Sequence, residues 1–210
     1  MATTPTLPAP ERADGPKRAD ARRNIEAILE AATDCLSMDP DASVAAIARA
    51  AGVGRVTLYG HFAGRADLVD ATVARAIERG DAVLAAVDLD GDPTEALVRL
   101  IRQSWSQIVR IGALMTVASA TLSPERMLEL HRRPASRVEG LIERGRTAGV
   151  FRADLPVSWL VGTLHRVMHG AAEEIAAGRL DADAAGWTIA ATVVAAFTPP
   201  GRPVPRIDRR

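Results

Sequence analysis

Gly52, Val53 and Gly54 leave almost no chain between two helical segments, and this joint restricts the possible folds more than any other stretch of the sequence. Ser43 is suited to cap a helix over residues 44–51, because its hydroxyl accepts from the free amides of the first turn, and Val44, Ile47, Ala48 and Ala51 fall on one apolar side. Gly52 supplies the left-handed backbone that ends such a helix. A second short helix, residues 55–61, has to begin at once. The two therefore cross steeply, with Val53 and Leu58 filling the small space between them, which is the helix-turn-helix arrangement.

The flanking sequence supports helices on both sides. Ile25, Ile28, Leu29, Ala32 and Leu36 recur at spacings of three and four, predicting a one-sided helix from Ala21 that stops at Met38-Asp39-Pro40. After Gly64, residues 65–86 carry Leu68, Val69, Val73, Ile77, Val83 and Leu84 on one side of a long helix, closed by the turn signal Leu89-Asp90-Gly91-Asp92-Pro93. Asp92 with Pro93 opens a helix to about Arg110 that Gly112 is expected to break, leaving a shorter helix to Leu122. Ser123-Pro124 starts another, which Pro134 is expected to kink or interrupt before it ends at Gly149. Pro156 opens a helix closed by Gly178, and Asp181 caps a last one that Pro199-Pro200 terminates. No segment alternates with period two, so the class is all-α. The expected division is a disordered arm over 1–19, a helix-turn-helix DNA-binding domain over 20–66, a helical ligand-binding and dimerisation domain over 67–199, and a disordered tail over 200–210.

Composition narrows the functions. The chain has 26 basic and 26 acidic residues, so a polybasic protein held to nucleic acid by bulk charge is excluded, and any DNA binding belongs to a local face. A single cysteine, Cys35, forms no internal disulfide, and no Cys/His spacing of zinc-finger type occurs. The first twenty residues lack the apolar core of a signal peptide, and no run approaches the roughly 20 apolar residues that span a bilayer, so a cytoplasmic protein without membrane contact is expected. Lys17 is the only lysine and alanine is abundant, a bias read as that of a GC-rich, bacterial genome.

The stretch SVAAIARAAGVGRVTLYGHFAGRADLV, residues 43 to 69, resembles the DNA-binding domain of the tetracycline-repressor (TetR) family. The likeness rests on Ile-Ala-x-x-Ala-Gly-Val followed by Thr-Leu-Tyr-x-His-Phe and a basic residue. Gly149 to Pro156 is similar, more loosely, to the join between late helices in many members. The resemblance implies a homodimer that binds a palindromic double-stranded operator, is released by a small apolar or amphipathic effector, and needs no cofactor. It places Arg55, Val56 and Thr57 at positions that meet bases or nearby phosphates, Tyr59, His61 and Arg65 at backbone-contacting positions, and Leu58 and Phe62 in the core. Chemistry agrees independently: Arg55 offers the bidentate fork for guanine, Val56 suits a thymine methyl, and tyrosine, imidazole and guanidinium are phosphate donors. Gly54 stands where many members have serine, and Gly60 where a larger residue often reaches DNA.

Outside that domain the reading is of residue types. Trp105, Met115, Met127, His131 and Trp159 are candidates to line a ligand cavity, or to be plain core. His165 and His169 have the i,i+4 spacing of metal ligands, with Glu173 the only local third ligand, so no metal site is expected; one histidine is read as pocket lining and the other as subunit contact. The small-residue last helices suggest a dimer interface at Gly162, Gly170, Val194 and Phe197, as in the family. No clustered acid, base or nucleophile suggests catalysis. The rival to a regulator is a helical ligand-binding and dimerisation protein whose DNA binding is lost or weak.

Overall fold

The computed structural model describes residues 16–208, and side chains from residue 18. Eight helices follow one another, with no strand among the described residues: α1 (Pro16–Met38), α2 (Val44–Ala50), α3 (Arg55–His61), α4 (Arg65–Ala86), α5 (Pro93–Thr121), α6 (Pro124–Thr147), α7 (Val157–Ala176) and α8 (Ala182–Phe197). Local chemistry sets most of their ends. Ser43 Oγ accepts from the Ala46 amide at 3.2 Å, Asp92 Oδ1 from Thr94 at 2.9 Å, Ser123 Oγ from Arg126 at 3.2 Å and Asp181 Oδ1 from Asp183 at 3.0 Å.

Two apolar cores share the chain. The first joins Ile28, Leu36, Ile47, Leu58, Phe62, Leu68 and Val73 of α1 to α4, and receives Leu114 and Val117 from α5. The second gathers Leu97, Ile101, Leu141, Leu164, Ile189 and Phe197 of α5 to α8. No linker separates them. α4 starts in the first core and its last residues, with Val87, reach the second, so the helix is common to both.

Four expectations are corrected. α1 begins at Pro16, inside the segment expected to be a disordered arm, and the remainder of that arm, residues 1–15, lies outside the described residues. Gly112 does not break α5, which runs on to Thr121; a Cβ at Gly112 would meet Ala172 Cβ at 3.4 Å, so the glycine marks a close approach of α7. Pro134 does not interrupt α6, which continues through it. The tail is largely exposed but is held at its end: Trp187 Nε1 donates to Ile207 O at 3.1 Å, Arg102 donates to Asp208 O, and the Ile207 side chain packs on the second core. The tail's proline-rich composition conceals these partners, which come from α5 and α8. Residues 209 and 210 lie outside the described residues.

Candidate nucleic-acid interface and ligand cavity

The α2–α3 pair is built as the sequence predicts. Gly52 has φ +69°, and the Val53 amide donates to Ala48 O at 3.0 Å, which closes the turn. Leu58 and Phe62 are buried against α1 and α4, so the opposite side of α3 has to face out. Val56 is 87% exposed and Tyr59 54%, unusual for large apolar bodies, and Arg55 and Gly60 are exposed beside them. Thr57 and His61 are half-buried at the edges, with the His61 ring 6.5 Å from that of Phe62. Gly54, at the N-cap, offers no side chain to the first turn, and a Cβ at Gly60 would touch nothing within 4 Å. Arg55, Tyr59 and Arg65 share a groove with Ser43 and Val44 of the preceding helix.

Arg65 has a task that the sequence does not reveal. Its guanidinium donates to Pro40 O at 2.7 Å and also to Ala42 O, tying the start of α4 to the turn between α1 and α2. Asp67 Oδ2 accepts from the Ala63 amide at 2.9 Å and fixes the other side of the same corner. Arg65→Ala is therefore expected to lower stability to urea by about 1–2 kcal/mol, as loss of charge-assisted bonds to carbonyls does. A variant as stable as the parent would leave Arg65 free for the phosphate role alone.

Behind this unit, α4, α5, α6 and α7 line a half-open cavity of about 130 Å³. Met115 and His131 line it. Trp105 does not; its indole packs on α8, where a Cβ at Gly186 would come within 2.9 Å of Nε1. Met127 lies in an outer groove between α5 and α7. Trp159 is 57% exposed on the outer side of α7, with Arg166 stacked 5.7 Å from its ring centre. Its hydrophobicity suggested a pocket, but its place on the helix turns it away.

Ala76, Ile77, Gly80 and Leu84, which the sequence did not single out for this role, make α4 a wall of the cavity. Both His165 and His169 line the space, where one was expected to line a pocket and the other to meet a partner subunit. His165 is exposed and His169 half-buried; partial desolvation by the surrounding helices and then the neighbouring histidines, with Arg166 near His165, hold both imidazoles below the ordinary histidine range. Asp81 on the α4 side pairs with Arg137 of α6 at 3.1 Å.

Of the expected dimer contacts, Val194 (2% exposed) and Phe197 (0%) are buried inside their own subunit, where the Phe197 ring meets Phe151 edge-on at 5.9 Å. They are not available to a partner. Gly162 lies under Arg166, and Gly170 is open, with nothing within 4 Å of a Cβ placed there.

The geometry defines an all-α helix-turn-helix protein with a cavity bordering its long connecting helix. Residues 28–72 match the sequence model described as bacterial regulatory proteins, tetR family. The chain is 34% identical over 82 residues to the HTH-type transcriptional repressor LfrR of Mycolicibacterium smegmatis, an overlap of 39% of this chain and 43% of that protein, so it spans less than half the length of this curated relative. Among solved structures, a TetR family transcription regulator from Marinobacter aquaeolei VT8 superposes with a TM-score of 0.72 at 19% identity, covering 86% of this chain and 98% of the other. LfrR from Mycobacterium smegmatis in complex with proflavine superposes with a TM-score of 0.66 at 23% identity, covering 81% and 95%. These similarities show the fold. Among the described residues no helix is long and apolar enough to cross a membrane.

Proposed function

We propose that this protein is a ligand-responsive transcriptional repressor that binds a palindromic operator as a homodimer and leaves it when a small apolar or amphipathic molecule enters the cavity. The exposed face of α3, with Arg55, Val56 and Tyr59 presented on a buried Leu58 and Phe62, carries the DNA-binding part. The effector part is supported by α4, which lines the cavity with Ile77 and Gly80 and belongs, nearer its start, to the core that holds α3. A molecule that shifts the far half of α4 would alter the separation of two recognition helices. A coupling of about 1–3 kcal/mol changes operator affinity about 5- to 150-fold.

Selection of bound sequences from random DNA tests the first part, and release by a compound library tests the second. Recovery of a two-fold symmetric sequence supports the regulator reading. Failure to enrich any sequence favours the rival, a ligand-binding dimer without DNA recognition, for which the bare Gly54 and Gly60 positions leave room.

For the dimer, the stripe Trp159, Gly162, Arg166 and Gly170 on α7 is the proposed contact, since it combines an exposed tryptophan with an open glycine, Gly170, that admits another helix. Gly170→Arg is expected to keep its helical circular dichroism, given the open space at that position, and to sediment as a monomer. A folded variant that stays dimeric at low micromolar concentration removes Gly170 from the interface.

A further inference from the structure

Three imidazoles meet where the cavity opens to the surface. His165 and His169 line both the cavity and the outer groove between α5 and α7, together with Arg110 and Met115. Their ring centres are 4.2 Å apart, and His131 reaches across from α6 to 5.1 Å from His165. His131 Nδ1 pairs with Met127 O at 2.8 Å, whereas no bond to a ring nitrogen of His165 or His169 is formed within the described residues. The three do not make a metal centre: among the described residues no group of three or more His, Cys, Asp or Glu is placed to hold an ion.

The charges around the mouth favour an anion. From α5 comes Arg110, from α7 Arg166 and, in the groove, Glu173; from α4 comes Asp81, already paired with Arg137 of α6. Two guanidiniums thus face one unpaired carboxylate before any histidine is protonated. The deeper walls, Ile77, Leu84, Leu100, Ile111, Val138 and Leu164, are apolar. At about 130 Å³ the cavity is near the size of roughly 150 Å³ at which an apolar cavity takes up benzene.

Building on the effector role proposed for the cavity, we propose that the site binds an aromatic carboxylate, with the ring in the apolar space and the carboxylate held at the mouth by His165, His169 and Arg110. With the cavity empty, both imidazoles at its mouth are held towards the neutral form by their mutual proximity and partial desolvation. A carboxylate arriving beside them favours the imidazolium form, which gains a charge-assisted hydrogen bond, so binding takes up a proton and tightens as pH falls. Specificity follows from the same pairing: a neutral analogue of the same shape finds the apolar walls but not the charge at the mouth.

Calorimetric titration of the full chain with benzoate, phenylacetate and 3-phenylpropionate, each beside its amide, in two buffers of different ionisation enthalpy, is the test. The best acid is expected to bind about tenfold or more tighter than its amide, with net proton uptake and an affinity that rises from about pH 7.5 to about pH 5.5. The double variant His165→Gln/His169→Gln should lose the preference and the uptake, with circular dichroism confirming that it is folded. Amides binding as tightly as acids, no binding of any acid at millimolar concentration, or uptake that persists in the double variant would each overturn the proposal. Fluorescence anisotropy of bound operator DNA separates this from the effector reading. Neutral molecules that release DNA equally from parent and double variant keep the cavity as effector site and overturn the acid site. Effectors that still act unchanged on Ile77→Trp, whose cavity is filled, overturn the effector reading itself.

Discussion

Phe197→Ala is expected to lower folding stability by about 3–5 kcal/mol, the usual cost of emptying a fully enclosed aromatic site. The ring is completely buried, packs edge-on against Phe151, and belongs to the core formed by α5 to α8. Its residue also anchors the chain beyond α6, because the Arg152 amide donates to Phe197 O at 2.7 Å. Urea unfolding followed by circular dichroism measures the loss. A variant destabilised by less than about 1 kcal/mol but unable to dimerise would return Phe197 to the subunit interface.

Arg55→Ala is expected to weaken binding to a selected operator by about 1–3 kcal/mol per half-site, hence about 2–6 kcal/mol for a symmetric site, and to leave binding to random DNA nearly unchanged. The difference arises because a fork placed on a base edge carries sequence information, whereas a phosphate contact does not. Arg55 is suited to the former by its position in the first turn of α3, beside exposed Val56. Equal losses on operator and random DNA, measured across a salt series, would reassign it to the phosphates.

The parts of the fold legible in the sequence are those decided within a few residues. Ser43, Gly52, Asp92 with Pro93, Ser123 and Asp181 act on the amides and carbonyls next to them, and the helices start or stop there. Leu58 is identifiable as core because the short joint before α3 leaves it no alternative, and Phe62 through the family resemblance. What could not be read depends on helices distant in the chain. Gly112 looks like a break until α7 is packed beside it, and the tail looks uncommitted until Trp187 and Arg102 are seen to donate to its carbonyls. Phe197 and Trp159 are both large and apolar, yet one is enclosed and the other faces out. Composition does not distinguish them, because helix azimuth relative to a neighbour is a tertiary quantity. The same holds for the cavity: the i,i+4 spacing of His165 and His169 is visible, but the approach of His131 from another helix is not.

The pairings between α4 and α6 have a consequence of their own. Arg126 grips Asp70 through two bonds of 2.8 and 3.1 Å, and Arg137 holds Asp81 at 3.1 Å, each pair spanning 56 residues. Equal spans mean that the two helices point the same way and that the rungs recur at one pitch, about three turns or 16 Å along each axis. Such a ladder tolerates the two rails tilting together but resists one sliding past the other, since any slip misaligns both rungs at once. In the regulator proposed above, a shift of α6 beside His131 would thereby reach α4 as a push along its length. Because these rungs are partly exposed ion pairs while the surrounding packing is apolar, salt should slacken the ladder selectively. Signal transmission would then fade with ionic strength before the fold or the cavity does.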